Sequence, residues 1–162
     1  YLIEACDRLV SMYPKMKQST GIVIIGGHAE EFEQQLAMPV YSLGYIRDEK
    51  KMAEVYRSID VFVLPSLSEN LPNTIMEAMA CGVPCVGFNI GGIPEMIDHC
   101  TNGYVANYRD AGDLAKGIHW ILEETAYDEL SRQAIHKVVS HYSQQAVAAK
   151  YIEVYNQATA LK

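Results

Sequence analysis

The sequence predicts an α/β domain built on a Rossmann-like, doubly wound parallel sheet and finished by C-terminal helices. Strand-like and helix-like stretches alternate as far as about residue 109, as successive βαβ units with right-handed crossovers require. The run Gly21-Ile-Val-Ile-Ile-Gly-Gly27 is apolar throughout and ends in glycines, the pattern of a strand buried on both faces of a parallel sheet. From Asp110 onward the pattern is helical only.

Taken in order, residues 1 to 13 place Leu2, Ile3, Cys6, Leu9, Val10 and Tyr13 at helical spacing, with no capping residue before them. The chain therefore reads as starting inside a helix, with the first strand of the sheet lost, so that 1–162 is a single domain excised from a longer protein. A sheet position beside Ile22 to Ile25 is expected to stand open. After that strand come a helix from about Ala29 to Leu36, a short strand Val40 to Leu43, and a helix Asp48 to Ser58 with Asp48 as its cap. Asp60 to Leu64 is the next strand. Beyond a central helix treated below, Pro84 to Gly87 reads as a strand, Ile93 to Asp98 as a short helix and Tyr104-Val105 as a last brief strand. Three helices follow, Ala111 to Glu124, Tyr127 to Ser140 and Ser143 to about Leu161. The last mixes apolar and charged positions, so one face is expected to pack while the other is wet.

A length of 162 residues suits one domain with a proper core. The net charge of -7 and pI near 5.2 argue against a nucleic-acid-binding face, which needs clustered Lys and Arg, and the sequence shows no such cluster. No apolar run approaches the ~20 residues of a membrane span, and no signal segment is present, so the expectation is an acidic cytoplasmic protein. Cys6, Cys81, Cys85 and Cys100 lack metal-ligand spacing and are expected to be reduced core thiols. The five histidines are too scattered to make a metal constellation.

The chain is organised around Pro65-Ser-Leu-Ser-Glu69-Asn-Leu-Pro-Asn-Thr-Ile-Met-Glu77-Ala-Met-Ala-Cys-Gly82-Val-Pro, where a strand empties into a polar loop and a helix follows at once. Pro72 suits the first turn, and Gly82 before Pro84 suits the stop, so the helix is predicted over Pro72 to Cys81. Its body is apolar on every face, which predicts burial all round, and yet it carries Glu77. An unpaired carboxylate there costs several kcal/mol, so Glu77 either pairs internally or reaches a polar cleft; both readings stand on burial alone. Glu69 lies just past the strand's carboxyl end, and the Asn73 and Thr74 N–H groups open the helix beside it as a natural anion site.

Glu69 and Glu77, with seven residues between them, stand inside Pro-Ser-x-x-Glu-x-x-x-x-x-x-x-Glu-Ala-Met-Ala-x-Gly-x-Pro, followed by Gly91-Gly-Ile-Pro-Glu95 and Asn102-Gly-Tyr. This ordered set, from about Gly44 to Asn107, closely resembles the signature of retaining, group 1 glycosyltransferases of the GT-B fold, in their C-terminal, nucleotide-sugar-binding half. The resemblance implies a two-domain enzyme that transfers a sugar from a nucleotide-sugar with retention of anomeric configuration. It implies Glu69 as the catalytic-site residue on the transferred sugar, Glu77 on the ribose hydroxyls, and Asn70, Leu71, Pro72, Asn73 and Thr74 around the sugar and diphosphate. Gly44-Tyr45-Ile46-Arg47 resembles the segment that frames the nucleobase, although a plain glycine turn explains it equally well; Gly26 and Gly27 fall on the same rim of strand ends. No cofactor and no metal are implied, since the nucleotide-sugar is a substrate. The acceptor, whether glycan, lipid or small molecule, and any membrane association would belong to the missing N-terminal domain. Two departures stand out. Asn70 occupies a position where the family usually has glycine, and the basic residues that neutralise the diphosphate would lie before Tyr1, which leaves the fragment alone catalytically silent.

Two other classes remain as alternatives: a nucleotide-sugar epimerase or phosphorylase-like enzyme of the same fold, and a non-catalytic nucleotide- or sugar-binding module. A dinucleotide oxidoreductase is disfavoured because Gly26-Gly27 is not the GxGxxG fingerprint. Gly91-Gly92 is expected to let another chain segment pass close to the cleft. Glu95 is expected to serve the dipole of a first helical turn rather than the cleft.

Overall fold

The computed structural model describes residues 1–27, 32 and 34–160. Helix α1 (Leu2–Met12) buries Ala5, Cys6 and Leu9 and turns a Glu4–Arg8 pair to solvent, as its apolar spacing requires. A single turn, α2 (Met16–Ser19), leads into the parallel pair β1 (Ile22–Ile25) and β2 (Val40–Gly44). Of the helix expected over Ala29 to Leu36, residues 29–31 and 33 lie outside the described residues; Gln34 and Gln35 form a turn, so the helix does not extend to Leu36. Helix α3 (Glu49–Arg57) begins as predicted at Asp48, whose side chain accepts from the Lys51 amide at 2.9 Å. Strand β3 (Phe62–Leu64), helix α4 (Asn73–Ala80), strand β4 (Cys85–Phe88), the turn-long α5 (Ile93–Met96) and strand β5 (Gly103–Ala106) continue the alternation. Helix α6 (Ala111–His119) passes into a π-helical turn, Trp120–Glu124, where one continuous helix was expected. Helices α7 (Tyr127–His141) and α8 (Gln144–Ala160) complete the described chain.

All the strand pairs are parallel, and β4 lies between β3 and β5. Elements pack on both faces of this sheet, so the architecture is the doubly wound α/β type that the alternation predicts. On one side α1 and α6 bring Leu9, Leu114 and Ala115 against Val86 and Phe88; on the other α4, α5 and α7 bring Ile75, Met79, Ile93 and Ala134 against Cys85. Every residue of β4 is buried.

The strands form two sheets rather than one. Among the described residues no ladder joins β1 to β3, although Ile22 and Val40 of the first sheet pack against the same cluster as Val63 of the second and Val61 just before it. Among the described residues β1 thus keeps one unpaired edge, in keeping with the open position expected there, and β1 and β3 are only half-buried despite sequences suited to full burial. The last helix departs from expectation too. Helix α8 has no buried residue, so no face of it packs into the core, and Tyr151, Ile152, Val154 and Tyr155 are each at least 59% exposed. Among the described residues no helix is long and apolar enough to cross a membrane.

Candidate functional site

The loop 65–72 carries the chain from the carboxyl end of β3 into α4. Pro72 is the residue before the helix rather than its first turn, with ψ at 115°, and its carbonyl accepts from the Ile75 and Met76 amides at 3.2 and 3.4 Å. The shift has a simple origin: an extended ψ at Pro72 lets its carbonyl open the helix while its missing N–H still leaves no orphan donor. At the far end the Val83 amide reaches the Ala78 carbonyl and the Gly82 amide the Met79 carbonyl, both at 3.0 Å, a Schellman stop that Gly82 makes possible at φ +82°. The helix is thus held at both ends by the residues singled out in the sequence.

The loop is fixed in place from above by the glycine pair. A Cβ on Gly91 would stand 1.8 Å from the Glu69 carbonyl oxygen, and one on Gly92 would stand 2.1 Å from that of Asn70. The Gly92 amide donates to the Asn70 carbonyl. The segment that passes close to Gly91-Gly92 is therefore the Glu69–Asn70 backbone itself. A second tether is Tyr108, whose hydroxyl donates to the Leu67 carbonyl at 3.0 Å, while its ring meets Phe88 edge-on and lies under the Arg109 guanidinium. Glu69 is half-buried in this loop, and among the described residues no side chain pairs with its carboxylate.

Helix α4 is not buried all round. Ile75, Ala78 and Met79 face the core, whereas Asn73, Thr74, Glu77 and Ala80 are exposed, and Glu77 and Ala80 with Cys81 form one wall of a cleft of about 450 Å³. Small side chains make the difference: Ala80 and Cys81 leave room along a face that the apolar composition alone assigns to the interior. The opposite wall comes from Ile46 to Glu49 at the β2–α3 junction and from Met52, Ala53 and Tyr56 of α3. Within it the Tyr56 hydroxyl donates to Glu77 Oε2 at 3.3 Å. Tyr56 is 3% exposed, its ring edge-on to Phe62, and its acidity is suppressed first by burial and then by the Glu77 charge beside it. The phenol therefore remains a donor at any physiological pH. Both readings of Glu77 hold in part, for it has an internal partner and it reaches the cleft.

Of the predicted site residues, Ile46, Arg47 and Glu77 share this cleft. Glu69, Asn70, Leu71, Pro72, Asn73 and Thr74 form the loop and the opening of α4, about one turn of helix before Glu77. Gly26, Gly27 and Tyr45 form a separate contact: the Gly26 amide donates to the Gly44 carbonyl at 2.8 Å, and the Tyr45 ring lies over the two glycines, 81% exposed and outside the cleft lining. Glu95 is exposed in the first turn of α5, as expected of a dipole-serving carboxylate. The cysteines divide: Cys6 and Cys85 are buried thiols with raised pKa values, but Cys81 is only half-buried and Cys100 is exposed, since Cys100 stands in the turn after α5 with φ +60°. Among the described residues no group of three or more His, Cys, Asp or Glu is arranged to hold a metal ion. Two residues that shape the site, Tyr56 and Tyr108, carry no sequence signal beyond an aromatic in a helix and one after a strand.

Comparison with known proteins places these features in context. A family model described as "Glycosyl transferases group 1" matches residues 1–124. N-acetyl-alpha-D-glucosaminyl L-malate synthase of Bacillus anthracis is 30% identical over 112 residues, which cover 68% of this chain and 29% of that protein. Sucrose-phosphate synthase of Thermosynechococcus elongatus superposes with a TM-score of 0.78 at 25% identity, over 99% of this chain and 43% of the synthase. Anabaena HepE, solved in complex with UDP-glucose, shares the fold with a TM-score of 0.74 at 21% identity, over 93% of this chain and 44% of HepE. The chain spans less than half the length of each of these proteins.

Proposed function

The chain belongs to the group 1 glycosyl transferases, and from that membership we propose that it is the donor-binding half of a retaining enzyme transferring a sugar from a nucleotide-sugar to an acceptor. The observation that carries this reading is the placement of two carboxylates about one helix, with Glu69 in the clamped loop at the start of α4 and Glu77 on its cleft face. The nucleoside lies along the cleft, its base against Ile46 and Arg47 and its ribose hydroxyls on Glu77. The diphosphate meets the Asn73 and Thr74 amides, where the helix dipole offsets charge that grows on the leaving group. Glu69 accepts hydrogen bonds from the transferred sugar, and these strengthen as positive charge builds at its anomeric carbon. The UDP-glucose held by HepE supports a nucleotide-sugar as the donor class. No metal enters this scheme. A second domain supplies the acceptor site, basic residues that precede the first helix neutralise the diphosphate, and the reaction takes place in the cytoplasm.

The test uses the full-length protein and a panel of UDP-, ADP- and GDP-sugars. Glu69→Gln is expected to lower kcat, and Glu77→Gln to raise the donor KM with a smaller loss of kcat, a cost of about 1.5–3 kcal/mol for one charge-assisted hydrogen bond. NMR of the product is expected to show the anomeric configuration of the donor. A Glu69→Gln enzyme with undiminished kcat, or an inverted product, overturns the reading.

A further inference from the structure

Glu77 lies on the open face of α4, where a glutamate with three rotatable bonds would sample many directions. Its one hydrogen-bond partner among the described side chains is Tyr56, from α3 across the cleft, at 3.3 Å. The tyrosine itself is held by packing: it is 3% exposed, edge-on to Phe62, and carried on a helix that starts at the Asp48 cap. A hydroxyl at that place occupies one lone-pair direction of Oε2 and leaves Oε1 and the remaining direction of Oε2 to a ligand in the cleft that Glu77 lines. Two such acceptors on one carboxylate match the two adjacent hydroxyls of a ribose.

We infer that Tyr56 is a positioning residue for nucleotide recognition, holding the Glu77 carboxylate in the orientation that accepts a vicinal diol. This rests on the proposed function and adds a residue to it. The phenol is suited to the task because it cannot exchange roles. Burial and the neighbouring carboxylate keep it protonated, so it always donates to Glu77 and takes up only one of the carboxylate's several acceptor sites. Its ring also belongs to the core cluster, although the residue lines the cleft. Its contribution is therefore to fix the direction of another side chain, and it vanishes when the ligand has no diol.

The experiment is calorimetric titration of the full chain with UDP, ADP and GDP, followed by the dideoxyribose counterpart of whichever binds most tightly. Tyr56→Phe keeps the ring and removes the hydroxyl. It is expected to weaken the ribonucleotide about tenfold, the net worth of a hydrogen bond to a charged group, and to leave the dideoxy counterpart nearly unchanged. In a Glu77→Gln background the same change is expected to have no further effect, because the two act as one unit. A merely structural tyrosine would weaken both ligands equally or lower the melting temperature without altering their ratio, and either result overturns the inference. The failures are distinguishable. A wild-type chain that binds ribo- and dideoxynucleotides alike refutes the ribose contact of Glu77 and this inference with it, whereas a wild-type preference retained in Tyr56→Phe refutes the role of Tyr56 alone.

Discussion

At the scale of single residues the site depends on where side chains are missing as much as on where they are present. Gly91 has φ +54° and its absent Cβ is the space that the Glu69 carbonyl fills. Gly91→Ala is therefore expected to cost about 3 kcal/mol, combining left-handed strain with a backbone clash, and to lower kcat by displacing Glu69. Gly44 supplies the control. Its φ is +62°, but nothing lies within 4 Å of a Cβ there, so Gly44→Ala is expected to show strain alone, about 1 kcal/mol. Denaturant unfolding of the two variants separates these terms, and equal losses would show that the clash is relieved elsewhere. Glu69, Glu77 and the glycine pair were legible in the sequence because their meaning lies in short, fixed spacing. Tyr56 and Tyr108 were not, since their partners stand 21 and 41 residues away and only the packing of α3 and β5 brings them together.

At the scale of elements, the caps and stops are local chemistry and the sequence shows many of them. Asp48 caps α3 as predicted and Gly82 stops α4, while the Pro72 boundary moves by one position. The burial of α4 was misjudged because apolar composition records which residues tolerate burial and not whether a neighbouring wall is there to bury them. The π-helical turn after α6 was illegible for a related reason, as the same apolar residues satisfy either winding. Helix α6 shows how an element's start is tied to the sheet. Asp110 accepts from the Asp113 amide at 2.9 Å, and Asp113 accepts from the Asn107 amide at 2.8 Å and the Tyr104 hydroxyl at 3.0 Å. Asp110→Ala is expected to cost about 1 kcal/mol as a lost cap, and Asp113→Ala about 2 kcal/mol because it frees both a backbone donor and a phenol at the end of β5. Urea midpoints would check the order, and a larger loss at Asp110 would contradict it.

At the scale of the whole molecule the governing feature is the break between the two sheets. Alternation of elements shows that a parallel sheet forms, but not how many strands complete it, and β1 and β3 are both half-buried where the ladders end. Backbone amides exchange with solvent through local openings whose free energy falls where ladders end and contacts are few. Strand β4, flanked on both sides and wholly buried, is expected to exchange most slowly of all the strands. Strand β1 has one partner and a half-exposed surface, so its amides are expected to exchange well before those of β4, and α8, with no buried residue, before those of the other long helices. Hydrogen exchange followed by mass spectrometry tests this ranking directly. An open ladder edge also invites pairing with another chain, so the measurement needs a second protein concentration. Protection of β1 that disappears on dilution would show that two copies close the gap between them, while protection equal to that of β4 at every concentration would mean that the sheet is continuous and the break is not a property of the folded chain.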